Sequence, residues 1–425
     1  MEKLLNSIIP GESMYINKLQ NGLTCYIIPR KDYVSQTAML CVNYGSVDAR
    51  FVFGGREYTP PAGVAHFLEH KMFEDARLQF SDEFVKLGAS VNAYTNFQST
   101  AYYFSCTDMF YENLRLLLRL VTVPHFTIEN VEKEKGIIGQ EITMYDDNPF
   151  WRGYSNLQQA MYSASNVRDS ILGNADSIAS ITPDVLHQVH TAFYHPSNMA
   201  LVCVGRFARE EVYKSARKAF LNAPKAHGLT RLHTEEPPGV VRDFVSSDMK
   251  LSKPMFSLGF KENVNLSPLD AATAQRKAAS AKVLLDVLVG ASSDAYAAMY
   301  REGLADTPLS REYISGRGFG QAVFGAVSAE PGRAREAILR EIARVRKQGV
   351  DQTRFEQVRG KHVGGFFRLF NNIEAMRNLQ ADLYAADAGD IFSLMAAYTG
   401  LCADDLNTRL DELFGGDNHV LSVIY

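Results

Sequence analysis

Two histidines and a glutamate lie within one short stretch, Pro61–Asp75 (PAGVAHFLEHKMFED): His66, Glu69 and His70, in the pattern H-x-x-E-H. On a helix, residues three and four apart share a face, so the three side chains point the same way. Two neutral imidazoles at that spacing can hold one zinc ion. A carboxylate beside them can take a proton from a water that the metal activates. The order inverts H-E-x-x-H, with the glutamate just before the second histidine. The plain alternative is a helix that happens to carry two histidines. With 10 His in 425 residues, chance produces this pattern in about one such chain in a hundred. Phe67, Leu68, Met72 and Phe73 make the segment apolar, and burying two His and a Glu together without a task is costly.

A two-histidine zinc site needs a third protein ligand. The long helical stretch from Ile128 carries VEKEKGIIGQEITMYDD, Val131–Asp147. Glu134 and Glu141 lie two turns apart on one face of it. A lone Glu there is most simply a solvated charge, like Glu132. Glu141, however, is flanked by Ile137, Ile138, Ile142 and Met144. A carboxylate in such surroundings wants a cation, and the two needs match.

Composition narrows the rest. The chain is 46% hydrophobic and 22% charged, ordinary for a globular protein with large cores. A net charge of -4 gives no reason to expect nucleic acid or an anionic membrane as partner. No run approaches a membrane span, and MEKLLNSIIPGESMY has too short an apolar run for a signal peptide. The 5 cysteines, Cys25, Cys41, Cys106, Cys203 and Cys402, are odd in number and scattered. They read as buried free thiols in a reducing cytoplasm.

The elements that must position the site follow in order. Met14–Ile28 reads as two strands around Asn21-Gly22, and Thr37–Tyr44 as a third. Gly45–Tyr58 is a loop leading to the H-x-x-E-H helix. Ser81–Leu87 is a short helix, and Ser90–Thr95 and Thr100–Cys106 are a hairpin. Met109–Val121 is an amphipathic helix. Helices are expected at Trp151–Ser163 and Pro183–Tyr194, and a strand at Met199–Val204. Asn222–Val241, rich in Pro, Gly and polar residues, reads as a tether. Beyond it come a strand at Phe256–Phe260, an Ala-rich helix at Asp270–Val289 and a strand pair or long strand at Gly316–Ala329. The remaining helices are Arg333–Lys347, Gln352–Phe370, Leu379–Tyr398 and Asp404–Leu413, and His419–Tyr425 is the last strand. The segments from Ile181 and from Leu401 align at an offset of about 220 residues, with Asp184 on Asp404, Leu186 on Leu406, Asn198 on Asn418 and Leu201 on Leu421. The expected division is therefore 1–221, a linker at 222–241, and 242–425. In the second half the counterpart of Glu141 falls near Gly365 and H-x-x-E-H is missing, which makes it a metal-free partner. GRGFG, Gly316–Gly320, marks a tight strand entry and is too weak to imply phosphate binding.

The chain resembles the insulinase/pitrilysin/mitochondrial-processing-peptidase family of zinc peptidases. The resemblance spans essentially the whole sequence. It rests on GVAHFLEHKMFE, the NAYT run at Asn92–Thr95, EKEKGIIGQEI, FYHPSNMALVCVG and the two-half layout. HFLEHKMFE with QEITMYDDNP is most similar to the bacterial cytoplasmic members that pair an active with an inactive subunit. The resemblance implies an α+β fold: two homologous α/β sandwich halves, each a mostly antiparallel sheet with helices on one face, forming one side of a clam-shell peptidase. It implies one zinc per chain held by His66, His70 and Glu141, with Glu69 as general base and Glu134 orienting the site from behind. Asn92 and Ala93 match an edge strand that pairs with the substrate backbone; the alternative is that Asn92 merely caps a bulge.

One departure matters. Family members usually carry, in the second half, an Arg and then a Tyr two helical turns on, which steady the oxyanion. The matching region here is Ala297–Tyr313, AAMYREGLADTPLSREY. Arg301 is a candidate, but Asp306, Thr307 and Pro308 stand where the Tyr would fall, and Tyr300 and Tyr313 are out of register. The expected function is a zinc metalloendopeptidase acting on peptides or small unstructured proteins in an enclosed chamber. It would work as a homo- or heterodimer with a related subunit that completes the site. The alternative is a non-catalytic interaction or scaffold subunit of such a pair.

Overall fold

The computed structural model describes residues 2–6, 11–76, 78–223, 228–264 and 269–425. The chain divides into two units. The first comprises Met1–Ile142, Ser170–Leu232 and Phe367–Phe392; the second comprises Thr143–Asp169, His233–Phe366 and Ser393–Tyr425.

The first unit is built on strands β1 (Glu2–Asn6), β2 (Ser13–Lys18), β3 (Thr24–Pro29) and β4 (Gln36–Val42). After these come β5 (Phe51–Phe53) and β6 (Arg56–Tyr58), then β7 (Ala89–Thr95), β8 (Thr100–Cys106), β9 (Met199–Gly205) and β10 (Leu229–Arg231). The main sheet runs β1-β2-β3-β9-β4-β8-β7, so β7 is an edge. All its pairs are antiparallel except β3–β9. Strands β10, β5 and β6 form a small separate sheet. The expected loop Gly45–Tyr58 therefore contains a hairpin, turned through Gly54 and Gly55 at positive φ.

Central strands β4 and β9 are buried along their whole length, so both faces of this sheet need cover. Side chains alternate between the faces. Ala38, Leu40 and Val42 join the main core with Leu114, Leu117 and Leu118 of the helix Phe110–Thr122. Thr37 and Cys41 turn the other way. Thr37 Oγ1 accepts from the Arg377 guanidinium, and Cys41 Sγ–H donates to Ala381 O at 3.8 Å. Arg377 and Ala381 belong to the helix Ile373–Ala385, which adds one helix from late in the chain to the second face.

The second unit is built on β11 (Phe244–Ser247), β12 (Met255–Lys261), β13 (Ser310–Gly316), β14 (Phe319–Val327) and β15 (His419–Ile424). Its order is β11-β15-β12-β14-β13, antiparallel except β11–β15. This matches β3-β9-β4-β8-β7 of the first unit strand for strand, and the repeat inferred from sequence is a repeat of topology. Here too one face is covered from a distance in sequence. A Cβ on Gly259 of β12 would sit 2.7 Å from Met161 Sδ, in the helix Pro149–Met161. Phe260, on the opposite face, meets Phe414 of the helix Ala403–Phe414 with ring centroids 4.7 Å apart.

The compact units therefore depart from the division at 221 and 242. Residues 143–169 group with the second unit and 367–392 with the first. Periodicity shows that a helix has an apolar face; it does not show which sheet that face covers. The break at Leu232/His233 falls inside the stretch read as a tether, but Leu229–Arg231 pairs with β5 and is not free chain; residues 224–227 of that stretch lie outside the described residues. The expected helix Leu379–Tyr398 is two helices, Ile373–Ala385 and Ile391–Thr399. They are separated where Asp387 and Gly389 take positive φ. GRGFG is the β13–β14 turn, with Gly318 at φ 77.

The second unit also buries a charge cluster. Glu262 is 4% exposed and Arg409 2%. Arg409 Nη1 and Nη2 donate to Glu262 Oε1 and Oε2 at 2.7 and 2.6 Å, and Tyr313 OH donates to Oε2 at 2.6 Å. Lys277 Nζ stands 2.5 Å from Oε1.

Candidate functional site

The helix carrying H-x-x-E-H is Val64–Lys71, packed against β7 and β8. It starts at Gly63, whose φ is 87 and where a Cβ would meet Leu172 O at 2.5 Å. Only glycine fits both the left-handed backbone and that close approach. Phe67 and Leu68 turn into the core, which fixes the rotation of the helix and leaves His66, Glu69 and His70 on one side. Glu134 and Glu141 come from the helix Ile128–Asp146.

His66 Nε2 and His70 Nε2 each lie 3.6 Å from Glu141 Oε2. The three ligand atoms lie within 4.8 Å of one another, the one such group of three among the described residues. Ligand atoms of a tetrahedral zinc site stand roughly 3.3–3.6 Å apart, given bonds of about 2.0–2.2 Å. The donor set, two imidazoles and a carboxylate, therefore fits a zinc ion in type and spacing.

The surroundings set the protonation. Burial, helped by the neighbouring His70, holds His66 down to about 3, so its ring is neutral and its Nε2 lone pair is available. Burial also works against a charge on His70. The hydrogen bond to Glu134 and the charges of Glu69, Glu134 and Glu141 outweigh it and move His70 upward. His70 Nδ1 is 3.0 Å from Glu134 Oε1. Donating that N–H fixes the tautomer that leaves Nε2 facing Glu141. Glu134 is 5% exposed; its burial is offset by His70 and Lys71, and the net effect is downward. Glu141 is pushed upward, first by burial, opposed by His70 and reinforced by the charge of Glu134. Burial pushes Glu69 up to about 7, although a hydrogen bond from Thr95 opposes it. A carboxyl that gains or loses its proton near neutral pH suits a general base.

Sequence reasoning missed two members of this group. Lys71 is fully buried, with Nζ 2.5 Å from Glu74 Oε2 and 3.6 Å from Glu134 Oε2. It supplies a positive charge to a cluster rich in carboxylates. Thr95 Oγ1 donates to Glu69 Oε2 at 2.7 Å. A lysine one residue past a candidate ligand histidine looks like a surface charge in sequence. Thr95 had a signal, its place in NAYT, but no spacing rule connects it to Glu69.

Asn92 and Ala93 lie on edge strand β7, and Ala93 N–H donates to Asn92 Oδ1 at 2.8 Å. Arg301 ends the helix Asp294–Arg301 of the second unit. Asp306, at the position expected for the Tyr, is engaged by Lys253 Nζ at 2.6 Å.

The profile of the Insulinase (Peptidase family M16) group matches residues 35–175, and that of the Peptidase M16 inactive domain matches residues 180–361. The chain belongs to the M16 insulinase family of peptidases. A Bacillus subtilis (strain 168) protein named uncharacterized zinc protease YmfH is 36% identical over 413 residues, covering 96% of this chain and 95% of that one. A crystal structure described as an M16-like peptidase from Alicyclobacillus acidocaldarius superposes with a TM-score of 0.94 at 34% identity, covering 99% of each chain. A protease from Helicobacter pylori shares the fold at a TM-score of 0.82 and 18% identity over 100% of both chains. The α+β fold of two related halves is thus the M16 fold. The stretch matched by the inactive-domain profile contains no group of three metal-ligand residues among the described residues. In this family context Glu134 makes a sharp prediction. The Glu134→Gln variant keeps its size but loses the charge that orients His70, and zinc affinity falls about 10- to 100-fold, read by competition against a chelator.

Proposed function

We propose that this chain is a zinc metalloendopeptidase acting on extended peptides, with His66, His70 and Glu141 as the metal ligands and Glu69 as general base. The observation that carries this is the convergence of the two Nε2 atoms on Glu141 Oε2, with a nearly buried Glu69 beside them. Zinc, when bound, would supply the Lewis acidity that polarises the scissile carbonyl and lowers the pKa of a water.

The chain's own groups divide the remaining work. Glu134 keeps His70 in the tautomer that presents Nε2. Glu69 keeps Oε2 on Thr95 and has Oε1 for the proton that leaves the attacking water; the same oxygen returns that proton to the departing amine. Strand β7 offers an open edge to which a peptide can add as a further strand, exchanging the Asn92–Ala93 contact for backbone pairing. That would favour extended backbones over particular side chains. The position where relatives carry the oxyanion Tyr holds Asp306, paired with Lys253, so we assign the missing donor to a second, related subunit.

The test is cleavage of an unstructured peptide by the zinc-loaded chain, alone and with a co-expressed related subunit. Activity should vanish with a chelator, return with zinc, and rise with the subunit. A purified chain that binds no zinc would favour a non-catalytic interaction subunit instead.

A further inference from the structure

We propose that Thr95 is a positioning residue that aims the Glu69 carboxylate and ties it to the strand on which the substrate is laid. This rests on the peptidase reading above. The two threonines are the last cross-strand pair of the β7–β8 hairpin. The turn that joins them is fixed by Asn96, whose Oδ1 accepts from Gln98 N and Ser99 N at 2.8 Å each.

Each hydroxyl spends its one hydrogen away from the other. Thr100, fully buried, donates from Oγ1 to Tyr44 O at 3.0 Å. Its oxygen lies 3.3 Å from Thr95 Oγ1. A hydroxyl has one hydrogen to give, and Thr95 gives its hydrogen to the one carboxylate in reach, Glu69 Oε2 at 2.7 Å. One oxygen of Glu69 is thereby held, and the other is left for the proton in transit. That proton arrives from the water and departs with the amine, and neither threonine gives one up.

The strand makes this more than a local contact. Ala93 and Thr95 are two apart on β7, so their side chains share a face, and Ala93 packs against the core that carries the Val64–Lys71 helix. A peptide added along β7 would take its register from the same strand that sets the base. Strand pairing and base alignment then come from one rigid element.

The experiment compares the wild type with Thr95→Val, Thr95→Ser and Thr95→Ala, each zinc-loaded, by steady-state peptide cleavage, zinc analysis and crystallography. Losing a hydrogen bond to a charged group lowers kcat of Thr95→Val roughly 10- to 100-fold. KM and zinc content should be unchanged, and Glu69 should leave its rotamer. Thr95→Ser keeps the hydroxyl and should retain kcat. Thr95→Ala also removes the hydroxyl and should lower kcat to a similar degree; it decides the matter if Thr95→Val does not fold. An unchanged kcat and Glu69 rotamer in Thr95→Val overturns the proposal. So does a rise in KM alone, a loss of zinc, or equal damage in Thr95→Ser. If the wild type cleaves nothing even with its related subunit, the peptidase reading fails; the Glu69 rotamer in Thr95→Val still reports on the positioning.

Discussion

Replacing Glu69 by Gln lowers kcat roughly 100- to 10,000-fold, the range that a positioned general base contributes, and leaves zinc at one per chain. Gln matches Glu in size and can still accept from Thr95 through its carbonyl oxygen, so the bond to Oγ1 survives. What it cannot do is take a proton at neutral pH. Glu69 is not one of the three converging ligand atoms, which separates this variant from changes at His66, His70 or Glu141; those lose metal and activity together. Metal analysis beside peptide kinetics distinguishes the two classes. A Glu69→Gln chain that cleaves at the wild-type rate would remove Glu69 from the chemistry.

Replacing Arg409 by Met destabilises the second unit by about 3–5 kcal/mol, because it leaves Glu262 buried without its bidentate partner. Glu262 keeps Lys277 and Tyr313, so the loss belongs to the lower part of that range. The pH dependence carries the sign. Burial alone would raise Glu262, but hydrogen bonds and charge from Arg409, together with Lys277, hold it below the ordinary carboxylate value. A depressed carboxylate stabilises the fold above its unfolded pKa, about 4.3, and that contribution is lost as pH falls through the folded value. In Arg409→Met the folded value rises, and the acid-side loss becomes smaller. Urea unfolding of both proteins at pH 7 and at pH 4 checks this: the gap between them should narrow at the lower pH. A gap that widens would contradict the account.

The grouping of the candidate ligands His66 and His70 was legible because its physics is local. His66 and His70 are one turn apart, and their type and spacing suit a zinc ion. Glu141 was picked out for its apolar neighbours, but they do not bury that part of the helix: Ile137 and Met144 are exposed and, of the four, only Ile138 is buried; its approach to the two histidines is a tertiary fact. The strand repeat was legible from the two segments 220 residues apart, and the matching sheet orders bear it out. What sequence could not show was the assignment of the Pro149–Met161 and Ile373–Ala385 helices to sheets distant in the chain. Amphipathic pattern records that a face is buried, not against what. Lys71 was hidden for a related reason. Its partners are Glu74, nearby, and Glu134, about sixty residues on, and only the packing of two helices brings that charge under the site. The Arg209–Ala219 helix went unread although it is regular, because its apolar positions are few among seven charged or polar residues.

The central claim is that this chain hydrolyses peptide bonds through Glu69 beside a His66–His70–Glu141 metal centre. Mass-spectrometric counting of new peptide termini tests it most directly. An unstructured peptide library is incubated with zinc-loaded wild type and with zinc-loaded Glu69→Gln, each together with the related subunit. The account predicts new termini from the wild type alone, abolished by a chelator. Equal numbers of new termini from both proteins, or none from a wild type carrying one zinc per chain, would contradict it.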